Sequence, residues 1–241
     1  MAVYGAILIL GLLAGCLSGI VGTGASIVLL PILVFAFGPQ QAIPIMAVAA
    51  VMGNIAKVLS WWRIVNWRAF AAYSLPGAVG AALGARTLLE LPPHLAETVL
   101  GVFFLALIPG RRLLQSHHLG LGLAGLAVAG GVIGFLSGIV LSTGPISIPV
   151  FAAFGLTQGG LISTEAASSL VVSIGKVGSF YAAGALPPAA MIKGLLIGAT
   201  VMAGAFMGRQ VLMGMSARMF ELVLDIMLAT AGISMLVAAL A

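Results

Sequence analysis

The sequence predicts an all-α polytopic membrane protein: two inverted repeats of four segments each, with re-entrant, hairpin-like breaks in segments 1 and 5. Three observations predict it. Of the 241 residues, 62% are hydrophobic and only 6% charged, where soluble domains average about 25% charged. Eight apolar stretches fill nearly the whole length. A block of sequence in the first half also returns in the second at an offset of 119 residues.

The stretches cover residues 4–37, 41–62, 68–89, 95–110, 119–155, 160–183, 188–209 and 216–240. A single span needs about 20 apolar residues. Segment 1 opens on "MAVYGAILILGLL", with no Lys or Arg before the apolar run. A secretory signal carries a basic leading region, so this is read as a membrane segment.

Segments 1 and 5 exceed one simple span, and glycine, serine and threonine interrupt both. "GCLSGIVGTGASIVLLP" ends at Pro31 and "GFLSGIVLSTGPISIP" at Pro149. Glycine and proline disrupt helices, so breaks are predicted at Gly22–Gly24 and Ser142–Pro145. Non-helical backbone at membrane depth is tolerated only inside protein or along a cavity. A helix restarting there presents free N–H groups and the positive end of its dipole, which attract anions. Ser18, Gly22, Thr23, Gly24 and Ser26 in one copy are candidate substrate ligands, with Ser142, Thr143, Gly144 and Ser147 in the other. The plainer reading is close packing through small residues. Packing alone does not require two overlong segments broken at matching places.

Segments 2 and 6 carry the second repeated block. "NIAKVLSWW" (Asn54–Trp62) matches "SIGKVGSFY" (Ser173–Tyr181), so Lys57 and Lys176 hold one place in the two repeats. A charge at membrane depth costs about 2.5–3.5 kcal/mol on insertion scales and marks function by default. Asn54 and Ser173, three residues earlier, share the helix faces of the lysines. A cation beside a neutral donor suits an anion. The competing reading is snorkelling, since each lysine lies within about two turns of a segment end. Glu165 opens segment 6 where repeat one has Met46. It is a candidate proton-coupling carboxylate, against the plainer reading of an interfacial or loop residue.

The remaining segments extend the match. "GAALGAR" (Gly80–Arg86) resembles "GAFMGR" (Gly204–Arg209), and "ETVL" (Glu97–Leu100) resembles "ELVL" (Glu221–Leu224). Glu97 and Glu221 sit near segment starts, where a carboxylate favours the helix N-terminus, and are read as structural. Asp225 is read as an interfacial residue facing Arg218. Trp61, Trp62, Trp67 and Tyr73 fit an aromatic belt beside Arg63 and Arg68. The repeats then divide the chain at residues 1–115 and 116–241, forming one integrated unit. Such architectures place the substrate between the repeats.

Basic residues set the orientation. If segments 1 and 5 span fully, Arg63, Arg68, Arg111, Arg112 and Lys193 face Arg86, Arg209 and Arg218: five against three. If both are re-entrant, Arg63, Arg68, Arg111, Arg112, Arg209 and Arg218 face Arg86 and Lys193: six against two. The positive-inside rule prefers the second, which inverts the repeats and puts both termini outside the cytoplasm.

Composition also excludes functions. The net charge of +5 comes from residues scattered at segment ends, which is no nucleic-acid surface. One cysteine, Cys16, excludes an intramolecular disulfide and a cysteine-based zinc site. His117 and His118 lie between the repeats without a third ligand nearby, so neither metal nor cofactor is expected. The partners are the lipid bilayer and a small anion, with the oligomeric state left open.

The duplicated Gly-x-x-Ser-Gly-x-x-Gly-x-Gly motif ending in proline resembles the sulfite exporter TauE/SafE family. The first copy reads Gly15, Ser18, Gly19, Gly22, Gly24 and Pro31; the second reads Gly134, Ser137, Gly138, Gly144 and Pro149. The resemblance covers essentially the whole chain. It implies export of small sulfur-containing anions, such as sulfite and organosulfonates, across a bacterial inner membrane. Two departures, "GTGAS" and "VLSTGP", place polar residues where the family often has glycine, and they bear on which substrate is carried. A passive anion channel would use the same residues. An intramembrane hydrolase with Ser18 or Ser137 as nucleophile lacks a histidine base within any segment. A purely structural scaffold would not explain the two lysines.

Overall fold

The computed structural model describes residues 9–16, 18, 24–116, 120–140, 143–211 and 217–240. Among them every regular element is helical. The order is α1 (residues 9–16), α2 (Gly24–Phe37), α3 (Pro39–Trp61), a 3-10 turn (Trp62–Ile64), α4 (Trp67–Glu90) and α5 (Pro93–Ser116). It continues with α6 (Leu123–Val140), α7 (Gly144–Ala153), α8 (Gln158–Ala182), α9 (Pro188–Val211) and α10 (Ala217–Leu240).

Among the described residues, four stretches are long and apolar enough to cross a membrane: Gln40–Ile64, Pro93–Gly110, Leu123–Val140 and Pro188–Met207. The chain is a multi-pass membrane protein. Predicted segment 5 holds two helices, α6 and α7, and Thr143, just before α7 and inside the expected break at Ser142–Pro145, is not helical. Predicted segment 1 likewise holds two described helices, α1 and α2. Gly22, Thr23, Ser142, His117 and His118 lie outside the described residues.

Both α2 and α7 end in a left-handed turn on glycine. Gly38 has φ 74° and Gly155 φ 97°, a conformation that a Cβ would penalise. The amide of Leu121, just before α6, donates to the carbonyl of Ala153 at the end of α7 over 3.0 Å. The start of α6 and the end of α7 therefore lie side by side. Asn66 caps α4, its Oδ1 accepting from the amide of Ala69 at 3.1 Å, which satisfies a donor that the first helical turn leaves open. Its own amide donates to Thr164 Oγ1 over 2.9 Å, tying the α3–α4 connection to α8.

Helices pair through small residues. α4 lies along α6 and α8, α9 lies along α3, α5 along α10, and α3 meets α8. A Cβ on Gly80 of α4 would overlap the carbonyl of Gly131 and crowd the amide of Phe135 on α6. A Cβ on Gly204 of α9 would overlap the carbonyl of Leu12 and crowd the amide of Cys16 on α1. Backbones this close are the means by which membrane helices gain van der Waals contact.

The apolar core lies where α2, α3 and α5 meet, around Leu29, Leu30, Leu33, Ile43, Ile45, Met46 and Phe104, all fully buried. Outward faces are apolar too. Leu75, Val79 and Leu83 form an exposed stripe on α4, as do Val128 and Val132 on α6. Their helical spacing makes continuous hydrocarbon surfaces of the kind a bilayer covers.

Candidate functional site

The polar residues of the interior converge. Lys57 and Asn54 reach inward from α3, and Lys176 and Ser173 from α8. Ser18, Ser137 of α6 and Ser26 of α2 join them, with Thr143 and Gly144 at the start of α7. Together they line one cavity of about 50 Å³. On the order of 10–15 Å³ admits one water-sized group, so the space has room for a few such groups.

Both lysines are buried: Lys57 is 8% exposed and Lys176 2%. Their ammonium groups are held in the interior and do not snorkel to an interface. Lys176 Nζ donates to Ser137 Oγ over 2.9 Å. Thr143 is the N-cap of α7 with no side-chain cap bond. Pro145 next to Gly144 has no N–H to satisfy, and the amide of Ile146 donates back to the carbonyl of Thr143 over 2.9 Å.

Glu165 corrects the plainer sequence reading. Hydropathy places it at a segment start, yet α8 begins at Gln158 and carries Glu165 into the interior, where it is 2% exposed. Its Oε1 accepts from Ser169 Oγ at 2.7 Å and from Ser147 Oγ at 3.2 Å. Ser147 is not itself part of the cavity lining and reaches the site through this bond. Gly24 begins α2.

Three polar lining residues fall outside the substrate-binding set read from the sequence: Tyr73, Ser169 and Ser137, the last singled out only as a motif residue and a conceivable nucleophile. Tyr73 was read as part of an interfacial belt, but it is 3% exposed and stacks with Phe151 at 4.8 Å between ring centroids. Its hydroxyl contacts Ser147. The signal was present: Tyr73 precedes Gly77, Gly80 and Gly84 at helical spacing, on the face that α4 turns to α6. Ser169 follows Glu165 by one helical turn. Asp225 pairs with Arg112 of α5, across the α5–α10 contact; the side chain of Arg218, its expected partner, lies outside those described.

The cavity therefore presents two ammonium groups, one carboxylate, one amide and a ring of hydroxyls. Ammonium groups and hydroxyls of this kind can hold an anion by charge and hydrogen bonds. Among the described residues no three His, Cys, Asp or Glu side chains gather as a metal site would need.

A model of the sulfite exporter TauE/SafE family matches residues 7–235. No curated protein and no solved structure gave a match. With nearly the whole chain covered, the protein belongs to the sulfite exporter TauE/SafE family, which is a family of membrane transporters and not of enzymes.

Proposed function

We propose that the protein exports a small sulfur-containing anion, such as sulfite or an organosulfonate, across a bacterial inner membrane. The anion binds between Lys57 and Lys176, and the two halves of the chain rock against each other to expose it alternately to either side. The observation that carries this reading is the burial of both lysines in one cavity among hydroxyl donors. Two ammonium groups at membrane depth are costly without a function. The cavity size favours a compact oxyanion. An organosulfonate would place its tail toward whichever side is open.

The halves are residues 1–115 and 116–241, read as inverted repeats. Matching contacts support this. Gly80 meets Gly131 and Phe135 as Gly204 meets Leu12 and Cys16. Position 131 stands 119 residues after 12, and 135 stands 119 after 16. α4 packs on α8 as α9 packs on α3. The bond from Leu121 to Ala153 supports a hairpin that enters and leaves by one face. With both broken segments re-entrant, the positive-inside rule puts the two termini outside the cytoplasm.

The direct test is thermal stability of the purified protein in detergent against sulfite, thiosulfate, sulfate, methanesulfonate, phosphate, chloride and acetate. A ligand at about 100 times its Kd stabilises by about 2.7 kcal/mol. The expected result is selective stabilisation by sulfur oxyanions that is lost in Lys57→Ala and Lys176→Ala. Stabilisation by a neutral or cationic solute in place of these anions would overturn the reading.

A further inference from the structure

The two halves of the cavity are not equivalent. Where the second half carries Glu165, the corresponding residue of the first is Met46, which is packed in the apolar core. Met46 lies outside the cavity lining: among the described residues the first half lends the lining Lys57, Asn54 and Ser26 but no carboxylate, and the second adds one that two serines support. An anion site has no evident use for a buried negative charge, which repels the ligand it must hold. Anion entry has to resolve that conflict.

From this asymmetry we infer that the cavity takes up a proton on the Glu165 carboxylate with each anion it binds. The inference rests on the reading of the cavity as an anion site. Glu165 has few charged neighbours. Lys57 faces it from α3 and interacts with its charge. Tyr73 faces it from α4, and Lys176 shares its own helix and the cavity wall. α6 and α7 contribute no titratable side chain. Arg63 of the 3-10 turn and Arg68, Arg86 and Glu90 of α4 are exposed and outside the lining.

In the empty cavity the charges of Lys57 and Glu165 offset one another. An arriving anion takes over Lys57, and the carboxylate is left facing a second negative charge in a space too small for bulk water. A proton from solvent restores the balance. It bonds to a carboxylate oxygen, and the O–H so formed donates to the anion instead of repelling it. The hydroxyls of Ser147 and Ser169 hold Glu165 at the wall in both states. By linkage, the anion and the proton strengthen each other's binding by the same factor. The protein then moves an anion together with a proton.

Isothermal titration calorimetry with methanesulfonate, in two buffers of different ionisation enthalpy, counts the protons. This sulfonate does not itself titrate near neutral pH. The expected result is uptake of about one proton per anion, with affinity weakening about tenfold for each unit rise in pH. In Glu165→Gln the uptake falls to about zero and the pH slope flattens; in Glu165→Asp both return. Should Glu165→Gln fail to fold, the wild-type proton count and the Glu165→Asp protein still decide. Binding to the wild type without proton uptake would overturn the inference and leave the anion site standing. Unchanged uptake in Glu165→Gln would also overturn it, by moving the proton to a lysine. A wild-type protein that binds no anion would overturn the site itself and this inference with it.

Discussion

The ammonium of Lys176 on α8 donates to the hydroxyl of Ser137 on α6 over 2.9 Å, and neither side chain reaches the surface. The bond joins the two blocks of sequence that recur between the halves, "LSGIV" and "SIGKV" ("NIAKV" in the first half), at the cavity wall. Ser137→Ala removes an acceptor from a buried cation. Hydrogen bonds to charged groups contribute about 1.5–3 kcal/mol, so we predict a loss of about 2 kcal/mol in unfolding free energy. Thermal melts in detergent measure it.

Lys176→Met separates binding from folding. The apolar side chain has similar length and carries no charge to desolvate. We predict that the protein without anion keeps its melting temperature, while stabilisation by sulfite disappears. A fall of melting temperature in step with the loss of binding would make Lys176 a structural residue.

Gly80→Val and Gly204→Val push side chains into the backbones of α6 and α1. Overpacking costs about 1–3 kcal/mol. The two contacts correspond in the proposed repeats, so the two variants should lose stability by similar amounts. Unfolding of each in detergent checks this, and a large loss in one alone would count against equivalent interfaces.

The connection between Leu121 and Ala153 makes a topological prediction. With Cys16 replaced by serine, Gly120→Cys and Thr157→Cys stand on exposed positions flanking α6 and α7. We predict that an impermeant maleimide labels both from the same side of the membrane. Labelling from opposite sides would mean that α6 and α7 together cross the bilayer.

The ion pair between Arg112 and Asp225 has a more modest role. Arg112 is 65% exposed, and exposed pairs contribute about 0–1 kcal/mol. Asp225→Asn should lower stability by less than about 1 kcal/mol and leave the response to sulfite intact, which the same melts report.

Much of this was legible in the sequence, for physical reasons. Runs of hydrocarbon side chains located the helices, and the breakers between Val140 and Pro145 located the restart at Gly144. The duplication singled out Lys57 and Lys176, because two costly residues at one repeated place ask for a common cause. What was not legible depended on depth and on distant contacts. Ser163, Thr164 and Glu165 near the start of segment 6 read as interfacial because they are polar; they are buried because α8 turns that polar face inward. An aromatic beside arginines reads as a belt, so Tyr73 was placed at the interface, although its spacing to Gly77 and Gly80 puts it on the packed face. Asp225 meets a residue far away in sequence, and no local pattern identifies Arg112 as its partner.

Counterflow of labelled sulfite in liposomes bearing the purified protein tests most directly whether Lys57 and Lys176 hold a transported anion. Vesicles preloaded with unlabelled sulfite should accumulate label transiently, with saturation, and Lys57→Ala and Lys176→Met should abolish the overshoot. Flux that rises linearly with concentration, shows no overshoot and is indifferent to both substitutions would contradict a binding site that alternates between the two sides.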